Sequence, residues 1–348
     1  MARMFEATLE EFKARIHGYL NRNVAVILTY HSIVDCPLPF DLWTHMQLPA
    51  FEEHMAFLHR TANVVPLAEI VGGVRRKRLP KYAVAITFDD GFGNNFTRAY
   101  PVLRRFRLPA TIFLSTGFIG GQELFWPERL AYQVMKTSNS SMSFAGQTLS
   151  LKNAADRTQA NSVLKENLKK KHPIRLEADL QEIERKLGVP YVREDGLFRE
   201  WLPLDWDQIR QMAASGIMDF GGHTADHHIL SRLSDQEAEH QIQSCRKALD
   251  HQLGGSQSLW AYPNGTLSCF NKGHQLMLNR NGFDTTFTAV PEYVSIDSDP
   301  AILGRWGVGS TANLGELRDT VVKRGRWSSL QGKGRLRTAC FGNPGHMS

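Results

Sequence analysis

A chain of 348 residues that is 42% hydrophobic holds enough apolar material for one large core or two modest ones, which excludes a disordered protein. No apolar run reaches the roughly 18 residues of a membrane-spanning helix, and the opening MARMFEATLEEFKARIHGYL mixes charges among its apolar positions, so a cytoplasmic location is expected. The net charge of +6 is terminal, since Lys323, Arg324, Arg326, Lys333, Arg335 and Arg337 follow Asp319 with no acid among them; no nucleic-acid reading module accompanies them, so nucleic acid is not the expected partner.

Residues 1–23 read as a helical lead-in. Short apolar runs then recur as strand candidates: VAVILTY (24–30), NVVPL (63–67), AVAITF (83–88), ATIFLS (110–115), GIMDFGG (216–222), SLWAYP (258–263) and DTTFTAV (284–290). Helical patterns separate most of them. Leu67–Val74 is one, and NFTRAYPVLRRF sets Phe96, Tyr100 and Leu103 on a single stripe. SDQEAEHQIQSCRKALDHQLGG opens on a capping box of Ser234 and Glu237 and closes at Gly254. Alternating strands and helices at this count predict an α/β barrel, with an open doubly wound sheet as the alternative.

From about Pro127 to Pro203 the rhythm stops: no strand core is evident and the segment is polar, charged and helix-prone. A helical insertion is expected there, either a lid over the site or a solvated elaboration. The last segment, 321–348, reads as a basic flexible tail. Cys36, Cys245, Cys269 and Cys340 lack CxxC spacing, which argues against a disulfide framework and a thiolate zinc site.

Two motifs carry chemistry. AITFDDGFGNN, residues 85–95, ends a buried run on adjacent carboxylates, Asp89 and Asp90, where desolvation and mutual repulsion both oppose ionisation. FGGHTADHHILSRLS, residues 220–234, follows another strand and sets His223 and His227 four apart, a spacing that shares one face if the turn is helical. Either motif alone is as readily structural. Together, at strand C-termini, they predict a two-histidine, one-carboxylate site for a divalent ion, with one acid binding the ion and the other free to accept a proton.

TFDDG (87–91), the HTxxHxxL pattern at His223–Leu230 and AYPNG (261–265) resemble, in order, the signature motifs of the polysaccharide deacetylase family, metal-dependent hydrolases grouped with the family-four carbohydrate esterases. The resemblance extends through RAYPVLRRFRLPATIFLSTGFIG and LDWDQIRQMAASGIMDFGGHT and covers roughly residues 24–130 and 200–310. It implies a distorted barrel of about seven β/α units. Asp89 is the implied catalytic base, and Asp90, His223 and His227 are the implied ligands of a divalent metal, zinc first, with cobalt, manganese or iron as alternatives. Tyr262, Pro263 and Asn264 would contact substrate, with an oxyanion-binding backbone N–H near the last two.

The sequence departs from the family pattern in two places. A late Leu-x-His motif, the usual source of the general acid, has no clean copy; His274 falls in a helical pattern, so His31, in LTYHSI, becomes the candidate. The family's Arg-x-Pro-Tyr appears as Ala261-Tyr262-Pro263-Asn264, and Arg305, in ILGRWGV, is the candidate to supply the missing charge. Among Trp126, Trp206 and Trp260, Trp126 is preferred for stacking on sugar rings. The expected function is metal-dependent removal of N-acetyl groups from amino sugars of a polysaccharide or glycan precursor, by a catalytic unit spanning 24–320. An O-acetyl or N-formyl sugar deacylase and a non-catalytic glycan-binding barrel are the alternatives.

Overall fold

Val24–Tyr30 and Ala83–Phe88 anchor the main sheet because each is a short, β-branched or aromatic run with its residues buried on both faces. They pair in parallel from Val26 opposite Val84 to Tyr30 opposite Phe88. The computed structural model describes residues 24–255 and 257–322; the expected lead-in over 1–23 lies outside the described residues, as does the expected tail over 321–348 except Val321 and Val322, which end the helix Leu314–Val322.

From Val24–Tyr30 the sheet runs through Ala83–Phe88, Ala110–Leu114, Met218–Gly222, Leu259–Ala261 and Thr285–Phe287 to Ile302–Leu303, every pair along that path parallel. Asn63–Val64 pairs beside Ala83–Phe88, and Val294–Ser295 lies antiparallel to Val24–Tyr30. Ile302–Leu303 pairs with one edge and Trp306–Gly307, just beyond it, with Val24–Tyr30. This short stretch therefore bridges the two edges and nearly closes the barrel. All seven expected strands are present; Val294–Ser295, Ile302–Leu303 and Trp306–Gly307 are too short to show a period in sequence.

Alternate strand residues face two cores. Ala25, Ile27, Ala85, Phe113, Ala261 and Phe287 pack together with Ile70 and Val71 of the Leu67–Arg75 helix, while Val26, Leu28, Ile86 and Ile112 pack with Phe51, Leu103, Ile209 and Ile242 of the outer helices. The helix Asp235–Leu253 carries the expected reciprocal capping box and ends at a left-handed Gly254. NFTRAYPVLRRF begins as a π-turn, Asn95–Ala99, before the α-helix Tyr100–Phe106, a local widening common beside functional sites.

The stretch after Phe125 forms the helices Trp126–Lys136, Ala154–Leu168, Pro173–Leu187 and Gly196–Glu200 around an apolar cluster of their own, with Leu130, Val134, Leu164, Leu180, Ile183 and Trp201 at its centre. One expectation is corrected here. An antiparallel hairpin, Ser141–Phe144 with Gln147–Ser150, sits among those helices. Only Met142 and Leu149 are buried in it, and Ala145 and Gly146 turn it through positive φ, so no apolar run betrays it. Among the described residues, no helix is long and apolar enough to cross a membrane.

Candidate metal centre and active site

The strand Ala83–Phe88 ends on Asp89, whose amide donates to the Tyr30 carbonyl, and the chain then turns sharply. Asp90 and Gly91 both adopt positive φ, 74° and 89°. Gly91 is required twice over, because its φ disfavours any side chain and a Cβ there would lie 2.9 Å from Leu114 Cδ2. This turn aims the two carboxylates differently. The loop is then pinned to the end of the inserted helices, where Leu204 N–H donates to Gly91 O and Gly93 N–H to Leu202 O.

Asp89 turns toward Arg305. The guanidinium grips it bidentately, Nη1 to Oδ1 and Nη2 to Oδ2, both at 2.7 Å. Arg305 is itself held by Nε donating to Thr288 O and by the Phe113 ring beneath it. Burial by itself would raise the Asp89 carboxyl, but the charge of Arg305, then of His223, holds it below the usual carboxylate range. Asp89 therefore stays an acceptor at neutral pH.

Asp90 turns toward the histidines. Asp90, His223 and His227 each offer a ligand atom, all within 4.8 Å of one another. Asp90 Oδ1 is 3.0 Å from His227 Nε2 and 3.4 Å from His223 Nε2 yet has no hydrogen bond of acceptable geometry. Burial raises this carboxyl too, but His227 and then His223 hold it well below its ordinary value. His223 Nδ1 donates to Ala261 O at 2.7 Å, which orients Nε2 toward Asp90. A buried carboxylate oxygen without a proper donor, facing imidazole nitrogens, is the chemistry of a divalent-ion site, and these residues fit one.

The histidines do not share a helical turn. Residues 223–229 are irregular, with Thr224 and His227 at φ 65° and 56°. Backbone bonds from Thr116 to Thr224 and from Gly117 to Ala225, and the Asp226–Gln241 pair, hold the loop instead. Among the described residues, four of the eight non-glycine positive-φ residues, Asp90, Thr224, His227 and Asn264, belong to this site, and such strain persists only where the surroundings impose it.

A cavity of about 180 Å³ opens over these groups, lined by Asp89, Asp90, His223, His227 and Arg305 together with His31, Tyr262, Asn264 and Trp126. The expected site residues are thus brought together, except that Pro263 is buried beside the cavity and does not line it. His31 stands edge-on to Trp43, its backbone oxygen taking a bond from Asn95 Nδ2 at 2.7 Å. Burial lowers its pKa, against the pull of Asp90 and Asp89. Trp260 is wholly core, packed on Phe283, and Trp206 packs against the barrel's outer core. His274 caps its own helix.

Several contributors escape the sequence reading. Trp43, Glu128, Lys165 and Lys169 also line the cavity, the last three from the insertion that showed only helix-forming polarity. Asn94 donates to Ser32 Oγ and Glu200 O and accepts from Ile33 N–H, tying the first strand to the carboxylate loop. The Asn-Asn pair directly after Asp-Asp-Gly-Phe-Gly was the available signal, since buried amides need partners on several sides.

The sequence pattern described as polysaccharide deacetylase matches residues 76–188 and 181–286. A polysaccharide deacetylase relative from Bacillus subtilis is 32% identical over 108 residues, 30% of this chain and 36% of that one. Poly-beta-1,6-N-acetyl-D-glucosamine N-deacetylase of Staphylococcus aureus is 34% identical over 71 residues, 20% of this chain and 24% of that one. The matched segments thus span about a third or less of those relatives. Among solved structures, the Streptococcus pyogenes deacetylase PplD in complex with acetate superposes with a TM-score of 0.58 at 17% identity, covering 86% of this chain and 99% of that one. IcaB from Ammonifex degensii gives 0.52 at 17%, covering 86% and 96%. At such identities these structures speak to the barrel fold.

Proposed function

The chain belongs to the polysaccharide deacetylase family, and on that premise we propose that it is a metal-dependent hydrolase removing N-acetyl groups from amino sugars of a polysaccharide or glycan precursor. The observation that carries this reading is the division of labour between adjacent carboxylates in one cavity, Asp89 gripped by Arg305 and Asp90 facing His223 and His227. The Staphylococcus aureus relative, named for deacetylating poly-β-1,6-N-acetyl-D-glucosamine, supports the substrate class. The catalytic unit is proposed to span 24–320, with the insertion of about 127–203 contributing to the cavity wall.

Asp90, His223 and His227 would hold the ion, with zinc the leading choice and cobalt, manganese or iron compatible with the same donors. When bound, a divalent ion there supplies a Lewis acid and brings the pKa of bound water toward neutrality. Asp89, kept ionised by Arg305, accepts the proton of the attacking water. Arg305 orients both carboxylate oxygens, so the base cannot rotate toward Asp90's partners. His31, on the same cavity wall, is placed to return a proton to the departing amine, which leaves poorly as an anion. Tyr262 and Trp126 border the space available to the sugar.

The test is release of acetate and free amine from acetylated glucosamine oligosaccharides, run beside O-acetyl and N-formyl sugars. Acetate release that disappears in Asp89→Asn supports the reading. Undiminished release in that variant, or none from any N-acetyl sugar by the metal-loaded protein, would overturn it.

A further inference from the structure

We propose that the insertion gives the cavity an anion subsite, with Lys165 at its centre and Lys169 at its mouth, which selects glycans carrying a carboxylate or phosphate next to the acetylated sugar. This deepens the deacetylase reading and rests on it for the identity of the sugar.

Lys165 and Lys169 lie one turn apart at the end of the helix Ala154–Leu168, and both line the cavity that holds Asp90, His223 and His227. Like charges at this spacing oppose each other on a helix, so the arrangement gains nothing for the helix itself. Lys169 is relieved by an ion pair with Glu166 at 2.8 Å. Lys165 is half-buried and makes no ion pair or hydrogen bond among the described residues. The acids that act on it are Glu128, Glu166 and Asp41, and none is within bonding distance. Glu166 is occupied by Lys169, and Asp41 accepts from Ser310 Oγ.

Glu128 shares the cavity wall but makes no ion pair with Lys165 among the described residues. Burial lowers the pKa of the Lys165 ammonium to about 8, the sign of a cation short of a bonded counter-charge. A ligand oxyanion arriving in the cavity would supply that counter-charge and form charge-assisted hydrogen bonds. The lysines are also held in place relative to the histidines. Arg232, just beyond the His223–Leu230 motif, donates from Nε to Lys169 O at 3.2 Å, and His172 meets Glu237 of the barrel helix at 3.1 Å. An uncharged acetylated polymer would need no such group. Trp126 and Trp43, also on the cavity wall, offer the apolar faces that a neutral pyranose requires.

The test is titration calorimetry on the full-length protein in chelator, so that binding is read without turnover. The probes are N,N′-diacetylchitobiose, a disaccharide of glucuronic acid and N-acetylglucosamine, and N-acetylglucosamine bearing a phosphate. The acidic probes should bind about tenfold or more tightly than the neutral one, and the carboxylate and phosphate arms identify which oxyanion is preferred. Lys165→Met, which keeps the aliphatic stem, should bring the ratio close to one, and Lys165→Arg should retain most of it. Equal affinity for neutral and acidic probes, or an unchanged ratio in folded Lys165→Met, would overturn the subsite. Acetate release that is equal from neutral and acidic substrates and insensitive to Lys165→Met would overturn the subsite and leave the deacetylase standing. An intact binding ratio without acetate release from any substrate would do the reverse.

Discussion

Arg305 and Asp89, separated by most of the chain, meet as a fully buried bidentate pair with both N···O distances at 2.7 Å. The pair answers the burial problem of one of the two adjacent carboxylates, and the Asp90–His223–His227 cluster answers the other. The arginine comes from the strand junction that closes the barrel, between Ile302–Leu303 and Trp306–Gly307. The geometry of the cavity and barrel closure are therefore coupled through one side chain.

Breaking that pair from one side should be severe. Arg305→Met leaves Asp89 buried and uncompensated, a change that typically costs about 3–5 kcal/mol, whereas Asp89→Asn/Arg305→Met should recover part of the loss. Urea denaturation of the two single variants and the double variant measures the coupling. A strictly additive double variant would contradict a direct interaction.

Zinc should stabilise the folded chain by an amount that grows with the logarithm of its free concentration above Kd. At a free concentration one hundred times its Kd, a ligand specific for the native state adds about 2.7 kcal/mol. A rise in Tm with added zinc, reversed by chelator and absent in His223→Ala and Asp90→Ala, is expected. Elemental analysis of the same samples should show the metal lost with the ligands.

Gly91→Ala tests the turn that separates the carboxylates. The new Cβ meets both an unfavourable φ of 89° and Leu114 Cδ2 at 2.9 Å, so a destabilisation of about 1–3 kcal/mol is expected. Gly120 also has positive φ, 79°, but a Cβ there meets nothing within 4 Å. Gly120→Ala therefore isolates the backbone cost, and Gly91→Ala should exceed it in denaturation midpoint and weaken zinc binding besides.

Glu128 should make stability fall toward alkaline pH. Its carboxyl is raised from 4.5 to about 8 by burial and then by Asp90, so the folded state holds a proton that the unfolded state has released. The stabilisation from the protonated form is complete below about 4.5 and is lost as pH rises through about 8. Glu128→Gln cannot ionise and should flatten this slope, closing a gap on the order of 5 kcal/mol over that window. Parallel slopes for the two proteins would show that Glu128 ionises normally.

Much of the fold was legible because its determinants are local. Runs such as AVAITF carry both-face burial in their composition, and the Ser234–Glu237 capping box states a helix start within four residues. The hairpin at 141–150 escaped because only Met142 and Leu149 are buried in it. The histidine pair was found by its spacing, yet its helical rationale fails: Thr224 and His227 occupy left-handed backbone in a loop held by Thr116, Gly117 and the helix residue Gln241.

The order of strands and helices, the adjacency of Asp89 and Asp90, and the motifs that resemble one family are written in residues close along the chain. That Arg305 faces Asp89, that Asp90 turns to the histidines, and that Glu128, Lys165 and Lys169 reach the same cavity follows instead from long-range packing. Those meetings depend on strand order, on barrel closure and on how the inserted helices dock. Each is set by the burial of surfaces far apart in sequence, so no local pattern records it.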